Sequence, residues 1–146
     1  MSAIVKFKRL KTGAELPKKA TEGAAGYDAY LPETYPPLEP GHIRIVSLGF
    51  SVEVPADYEL QVRARSGLAT KGIIVANGVG MVDSDYRGDV GVILWNASGA
   101  IQPLNKGDRI CQLKLSYAPK ILWEVTDEIE DTERGQGGFG HTGVAS

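Results

Sequence analysis

Short runs of apolar–polar alternation, broken every few residues by proline or glycine, constrain this chain more than any other feature. Phe50, Val52 and Val54 alternate with Ser51 and Glu53. Tyr58, Leu60, Val62 and Ala64 alternate with Glu59, Gln61, Arg63 and Arg65. Val90, Val92 and Leu94 form a third set, and Cys111, Leu113, Leu115 and Tyr117 a fourth. A period of two sends successive side chains to opposite faces of a strand, so each run predicts a half-buried β-strand. Pro32, Pro36, Pro37, Pro40, Pro55, Pro103 and Pro119 punctuate the runs. One short stretch reads as a helix, Ser66 to Gly72, with Ser66 as N-cap, Lys71 in the last turn and Gly72 at C′. With 146 residues, the chain suits a single domain with one core. The expectation is an all-β sandwich or barrel with one small helix.

Composition removes several classes of function. A net charge of −2 marks no overall nucleic-acid or membrane surface, so an anionic ligand needs local arginines and backbone N–H groups. The single cysteine, Cys111, permits neither an internal disulfide nor a zinc cluster, and it reads as a small core residue. No segment is apolar for long enough to span a bilayer, and the first ten residues hold no apolar run of signal-peptide length. A cytoplasmic protein is expected.

Five segments carry chemistry. Arg65-Ser66-Gly67 stands where a strand gives way to the helix. It is either a capped helix start with an exposed arginine, or a phosphate seat built from helix N–H groups, a hydroxyl and a guanidinium. Ala76 to Val82 holds an Asn77-Gly78 turn signal and reads as a hairpin. It leads into Asp83-Ser84-Asp85-Tyr86-Arg87-Gly88-Asp89, which is either an Asx-rich turn or the source of a general base and a stacking ring. Gly107-Asp108-Arg109-Ile110 reads as a turn into the strand bearing Gln112, with Asp108 and Arg109 as a possible ion pair. Asp28 follows Gly26-Tyr27 as a lone acid at the start of a strand. After Trp123 come five acids between Asp127 and Glu133, then Arg134-Gly135-Gln136-Gly137-Gly138-Phe139-Gly140-His141-Thr142-Gly143. Such a polar, glycine-rich segment cannot bury enough apolar surface to order itself. It is either a frayed tail or a flap over a planar, anionic ligand.

In chain order, Ala25-Gly26-Tyr27-Asp28, Arg65 to Ala69, Gly80 to Gly88, Gly107 to Leu113 and Arg134 to Gly143 together resemble the five motifs of the trimeric dUTPases. Ala29, Met81, Cys111 and His141 depart from the commonest residues at their places, and none removes a group expected to do chemistry. The resemblance implies a distorted β-barrel or jelly-roll-like subunit over residues 1–126, a flexible tail over 127–146 that closes the site, and a homotrimer with active sites shared between subunits. It implies hydrolysis of dUTP to dUMP and pyrophosphate with Mg²⁺, which limits uracil incorporation into DNA and supplies dUMP for thymidylate synthesis. Asp83 matches the residue that activates water. Tyr86 matches the ring against deoxyribose. Asn77, Gly80, Met81 and Val82 would hold uracil, and Arg65, Ser66, Gly67 and Gln112 the phosphates. Asp28 would meet Mg²⁺ through water. Arg134, Phe139, Gly140, His141 and Thr142 would close over the nucleotide. The resemblance implies neither direct nucleic-acid nor membrane binding. The competing readings are a dCTP deaminase of the same fold, including a bifunctional one, and a non-catalytic regulatory trimer.

Overall fold

Each alternating run becomes a strand, because only pairing satisfies its backbone while one row of side chains leaves water. The computed structural model describes residues 2–145. In chain order the strands are β1 (Lys6–Arg9), β2 (Tyr27–Tyr30), β3 (Tyr35–Leu38), β4 (Ile43–Ser47), β5 (Phe50–Glu53), β6 (Tyr58–Arg63), β7 (Ile73–Val75), β8 (Gly80–Val82), β9 (Gly91–Asn96), β10 (Gln102–Leu104) and β11 (Arg109–Tyr117). The helix α1 is one turn, Ser66–Ala69. A four-stranded sheet runs β2-β11-β6-β8 and a three-stranded sheet β4-β9-β7, with the pairs β1-β5 and β10-β3 beside them. All pairings are antiparallel. The result is the all-β, jelly-roll-like subunit expected.

The core joins the inner faces of these sheets. Val62 and Leu113, registered across β6 and β11, meet Val46, Val92 and Leu94 of the three-stranded sheet in one buried cluster with Phe50. Ala29 and Cys111 are Cα partners across β2 and β11, both fully buried, which explains a small residue at each place. Burial pushes the Cys111 thiol up to about 12, with nearby Asp28 adding to the shift. Asn96 is fully buried yet satisfied. Its amide donates to the carbonyls of Leu38 at 2.9 Å and Ala100 at 2.8 Å, and its oxygen accepts from the N–H and hydroxyl of Ser98.

Three local expectations need correction. Arg65, not Ser66, is the N-cap of α1, and it makes no side-chain cap bond. The turn closes instead with the Thr70 hydroxyl on the Gly67 carbonyl at 2.8 Å. Thr70 is the C-cap, which leaves Lys71 outside the last turn and Gly72 one place beyond C′. Gly72 still adopts a left-handed φ of 89°, and a Cβ there would stand 2.9 Å from Ser98. Asn77-Gly78 is not a hairpin: β7 pairs with β9, whereas β8 pairs with β6. The turn therefore carries the chain from one sheet to the other, with Gly78 at a φ of 74°. Finally, Asp108 does not pair with Arg109. Its carboxylate accepts from the Asn105 N–H at 2.9 Å, and Arg109 turns to Asp28.

Candidate active site

The crossing from β7 to β8 opens a cavity of about 420 Å³. Asn77, Gly80, Met81, Val82, Asp83 and Tyr86 line it, so six residues expected from sequence converge here. β8 is the edge strand of its sheet, with β6 as its neighbour among the described residues. Its outer backbone edge can therefore recognise the donor and acceptor pattern of a planar base. A Cβ on Gly80 would stand 3.1 Å from Val62 and 3.4 Å from the Asn77 amide, so glycine leaves that amide its room.

The loop after β8 is fastened from several sides. The Tyr86 N–H donates to the Asp83 carbonyl at 3.1 Å, and its hydroxyl donates to the Asp89 carbonyl at 2.9 Å. A side chain on Gly88 would collide with that tyrosine ring. Arg87 donates to the carbonyls of Ser84 at 2.7 Å and Tyr86 at 3.1 Å. The Ser47 hydroxyl donates to the Asp89 carboxylate at 2.5 Å. This stapling holds the exposed Asp83 carboxylate and the half-open Tyr86 ring at the cavity. Ser47, Arg87 and Asp89 went unassigned in the sequence. For Arg87 and Asp89 the signal was present, since they adjoin Tyr86; for Ser47 there was none.

A second cluster gathers around Asp28. Asp28 pairs with Gln112 across β2 and β11, and Gln112 pairs with Arg63 across β11 and β6. Paired residues share a face, so these lie on the polar side of the four-stranded sheet. Asp28 is nonetheless only 4% exposed. Its carboxylate faces Arg65 Nε at 3.5 Å and Arg109 Nη1 at 3.6 Å. Arg65 also donates from Nη1 to the Arg109 carbonyl at 3.0 Å. Ser66 and Gly67 are exposed beside it, and the space above Gly67 is open. Gly26 has no side chain to crowd Gln112, whose Cβ would lie 3.3 Å away. Arg109 was missed as a site residue; only the fold brings it across to Asp28.

The third group, on the tail, makes no hydrogen bond or ion pair with either cluster among the described residues. Arg134 donates to the Gly137 carbonyl at 2.8 Å, and Phe139 is fully exposed at a φ of 51°. Gly140, His141 and Thr142 are exposed in successive turns. None of Arg65, Ser66, Gln112 or the tail residues lines the cavity around Asp83.

The dUTPase family model matches residues 12–143. This chain belongs to the dUTPase family. A deoxyuridine 5′-triphosphate nucleotidohydrolase of Desulfotalea psychrophila is 50% identical over 131 residues, covering 88% of this chain and 87% of its own. One from Caulobacter vibrioides is 46% identical and covers 99% of this chain and 100% of its own. Among solved structures, a dUTPase of Staphylococcus bacteriophage 80alpha with dUpNHpp superposes with a TM-score of 0.84 at 24% identity, over 98% of this chain and 100% of that one. That likeness establishes the fold of this dUTPase. Among its described residues no helix is long and apolar enough to cross a membrane.

Proposed function

We infer that this enzyme is a dUTP diphosphatase, which hydrolyses dUTP to dUMP and pyrophosphate. The family match over residues 12–143 carries this reading. It places the chain in nucleotide metabolism, where it supplies dUMP and limits uracil in DNA. The following roles are proposed on the motif matches and on the geometry above.

Asn77 and the free edge of β8 bind uracil. N3–H donates and O4 accepts in uracil, and cytosine reverses that pattern, so fixed donors and acceptors discriminate between them. Tyr86 packs on deoxyribose and leaves no room for a 2′-hydroxyl. Asp83 takes the proton from the water that attacks the α-phosphate, because water alone is a poor nucleophile. Arg65, Ser66, Gly67 and Gln112 hold the phosphates. The developing charge lies on the leaving oxygens, where guanidinium and N–H donors stabilise it most.

The cofactor is Mg²⁺. The residues present fit a hard cation that keeps its waters and rides on phosphate oxygens. Asp28 is a single carboxylate with a guanidinium 3.5 Å away on one side and another 3.6 Å away on the other, suited to accept from metal-bound water and not to coordinate directly. Bound Mg²⁺ neutralises charge on the triphosphate.

The subunits assemble as a trimer with shared sites, in the cytoplasm. Two observations support this. The residues expected at one site stand in three separate groups within a single chain. In addition, Ile43, Ile45 and Trp95 share the outer face of the three-stranded sheet at 62%, 73% and 39% exposure, an apolar patch suited to a second copy. The tail, taken as residues 127–146, lays Phe139 on uracil and Arg134 on the γ-phosphate of a neighbour's nucleotide, with Gly140, His141 and Thr142 assisting. A dCTP deaminase would need its acid at C4 of the base, whereas Asp83 is matched to a water at the α-phosphate. Pyrophosphate release from dUTP with Mg²⁺, measured beside dTTP, dCTP and UTP, tests the reading. Turnover of dUTP alone supports it; ammonia release from dCTP, or no turnover, defeats it.

A further inference from the structure

Asp28 is an acid on the polar face of a sheet that is as buried as the core, because two guanidinia cover it. An ionised carboxylate so placed requires compensation, and Arg65 and Arg109 provide it. The converse matters more for function. Two guanidinia facing one carboxylate at 3.5 and 3.6 Å would repel each other without it. With it, the trio keeps one net positive charge.

The donor inventory shows which atoms remain for a ligand. Arg65 is held by one hydrogen bond, from Nη1 to the Arg109 carbonyl at 3.0 Å, and by an ion pair, with Nε facing the Asp28 carboxylate at 3.5 Å. Arg65 Nε is buried and makes no hydrogen bond of its own. Nη2 of Arg65 is therefore its uncommitted end. Arg109 meets Asp28 through Nη1, and its side chain is 51% exposed, so Nε and Nη2 stay available. Two strands and a helix are tied at this point: β2 by Asp28, the start of α1 by Arg65, and the first residue of β11 by Arg109. Gln112, three residues along β11, lies on the same sheet face as Asp28.

We propose that Asp28 is the positioning residue of the phosphate seat, acting through both arginines, and that Arg109 is the second cation of that seat. This rests on the dUTPase reading for the identity of the anion, a triphosphate. It goes beyond that reading in assigning Arg109 a ligand and in giving Asp28 a task that needs no metal. Arginines already held in place lose little side-chain freedom on binding, so the anchor raises affinity for the phosphates.

The test is binding in EDTA, where a water-mediated metal contact contributes nothing. The probes are a non-hydrolysable dUTP analogue and inorganic tripolyphosphate, titrated into wild type, Asp28→Asn, Arg109→Gln and the double variant, with folding checked by thermal unfolding. Each single variant should weaken both probes about tenfold, the size expected for a lost charge-assisted contact. The double variant should bind within about twofold of the weaker single one, because both changes break one cluster. Wild-type affinity of Asp28→Asn in EDTA would overturn the proposal and leave Asp28 a metal contact alone. So would a double variant whose losses multiply to about a hundredfold. If Asp28→Asn does not fold, the half-exposed Arg109→Gln decides by itself, and unchanged affinity for both probes overturns the claim. A wild-type protein that binds tripolyphosphate but not the dUTP analogue sinks the dUTP reading instead, and the clamp is then judged on tripolyphosphate.

Discussion

Asp83 and Asp28 are both carboxylates of the motif set, and the fold gives them opposite surroundings. Asp83 is exposed at the cavity, with no ion-pair partner among the described residues. Asp28 is committed to two cations. This difference in surroundings favours Asp83 over Asp28 for the general-base role proposed above. Asp83→Asn should leave folding and binding of the dUTP analogue near wild type and lower turnover by about 10²–10⁴-fold, as loss of a general base does. Steady-state kinetics beside analogue titration checks this, and turnover above about a third of wild type removes Asp83 from that role. Cys111 gives a different kind of prediction. Its thiol is raised from 9.0 to about 12 in the folded chain, chiefly by burial. Above pH 9 the unfolded chain releases this proton while the folded one retains it, so stability falls as pH rises toward 12. Below 9.0 the contribution is fully present. Cys111→Ala should show a shallower alkaline loss than wild type when urea unfolding is compared at about pH 8 and about pH 10.5. Parallel pH profiles would contradict the assignment.

Among the elements, what was legible in the sequence was whatever depends on neighbours along the chain. Alternation located β5, β6, β9 and β11, because period two reports a half-buried face directly. The motif resemblance named Asn77, Met81, Asp83 and Tyr86, which lie within one short stretch and do share a cavity. What failed depended on non-local pairing. Asn77-Gly78 carries a hairpin turn signal, but β7 finds β9 and β8 finds β6, so an identical turn joins two sheets. Arg109 reads as Asp108's partner by adjacency and is captured instead by Asp28, 81 positions earlier in the chain. The tail belongs to the elements as well. Its glycines at 135, 137, 138, 140 and 143 make ordering entropically costly, and in the proposed flap Phe139 and Arg134 would offset that cost on the nucleotide. Truncation before Arg134 should leave a folded oligomer that hydrolyses dUTP at least ~10²-fold more slowly, since misaligned groups and admitted water both raise the barrier. Near-normal turnover of the truncated enzyme, or tail amides equally protected from exchange with and without the dUTP analogue, would dismiss the flap.

For the whole molecule, the proposed sharing of sites between copies is supported by where one chain leaves their parts. The cavity at Asp83, the clamp at Asp28 and the tail at Phe139 remain apart within one chain. Beyond β11, Ile121, Leu122, Trp123 and Val125 are 63 to 98% exposed, an apolar load that a lone subunit would leave in water. Light scattering should report a trimer. A stronger test separates shared from private sites. Asp83→Asn chains keep a tail but lack the base, and chains truncated before Arg134 keep the base but lack a tail. Each homotrimer should be nearly inactive. Mixed, unfolded and refolded together at equal amounts, they should form hetero-oligomers in which a truncated chain's Asp83 is covered by the tail of an Asp83→Asn neighbour. If each site draws its base from one chain and its tail from one defined neighbour, random assortment gives roughly a quarter of sites both parts. Activity should then recover to about that fraction of wild type. If each tail serves its own chain, no mixture contains a complete site, and refolding should recover nothing. A trimer without complementation would thus retain the assembly and refute the sharing, whereas a fully active monomer at low concentration would refute both.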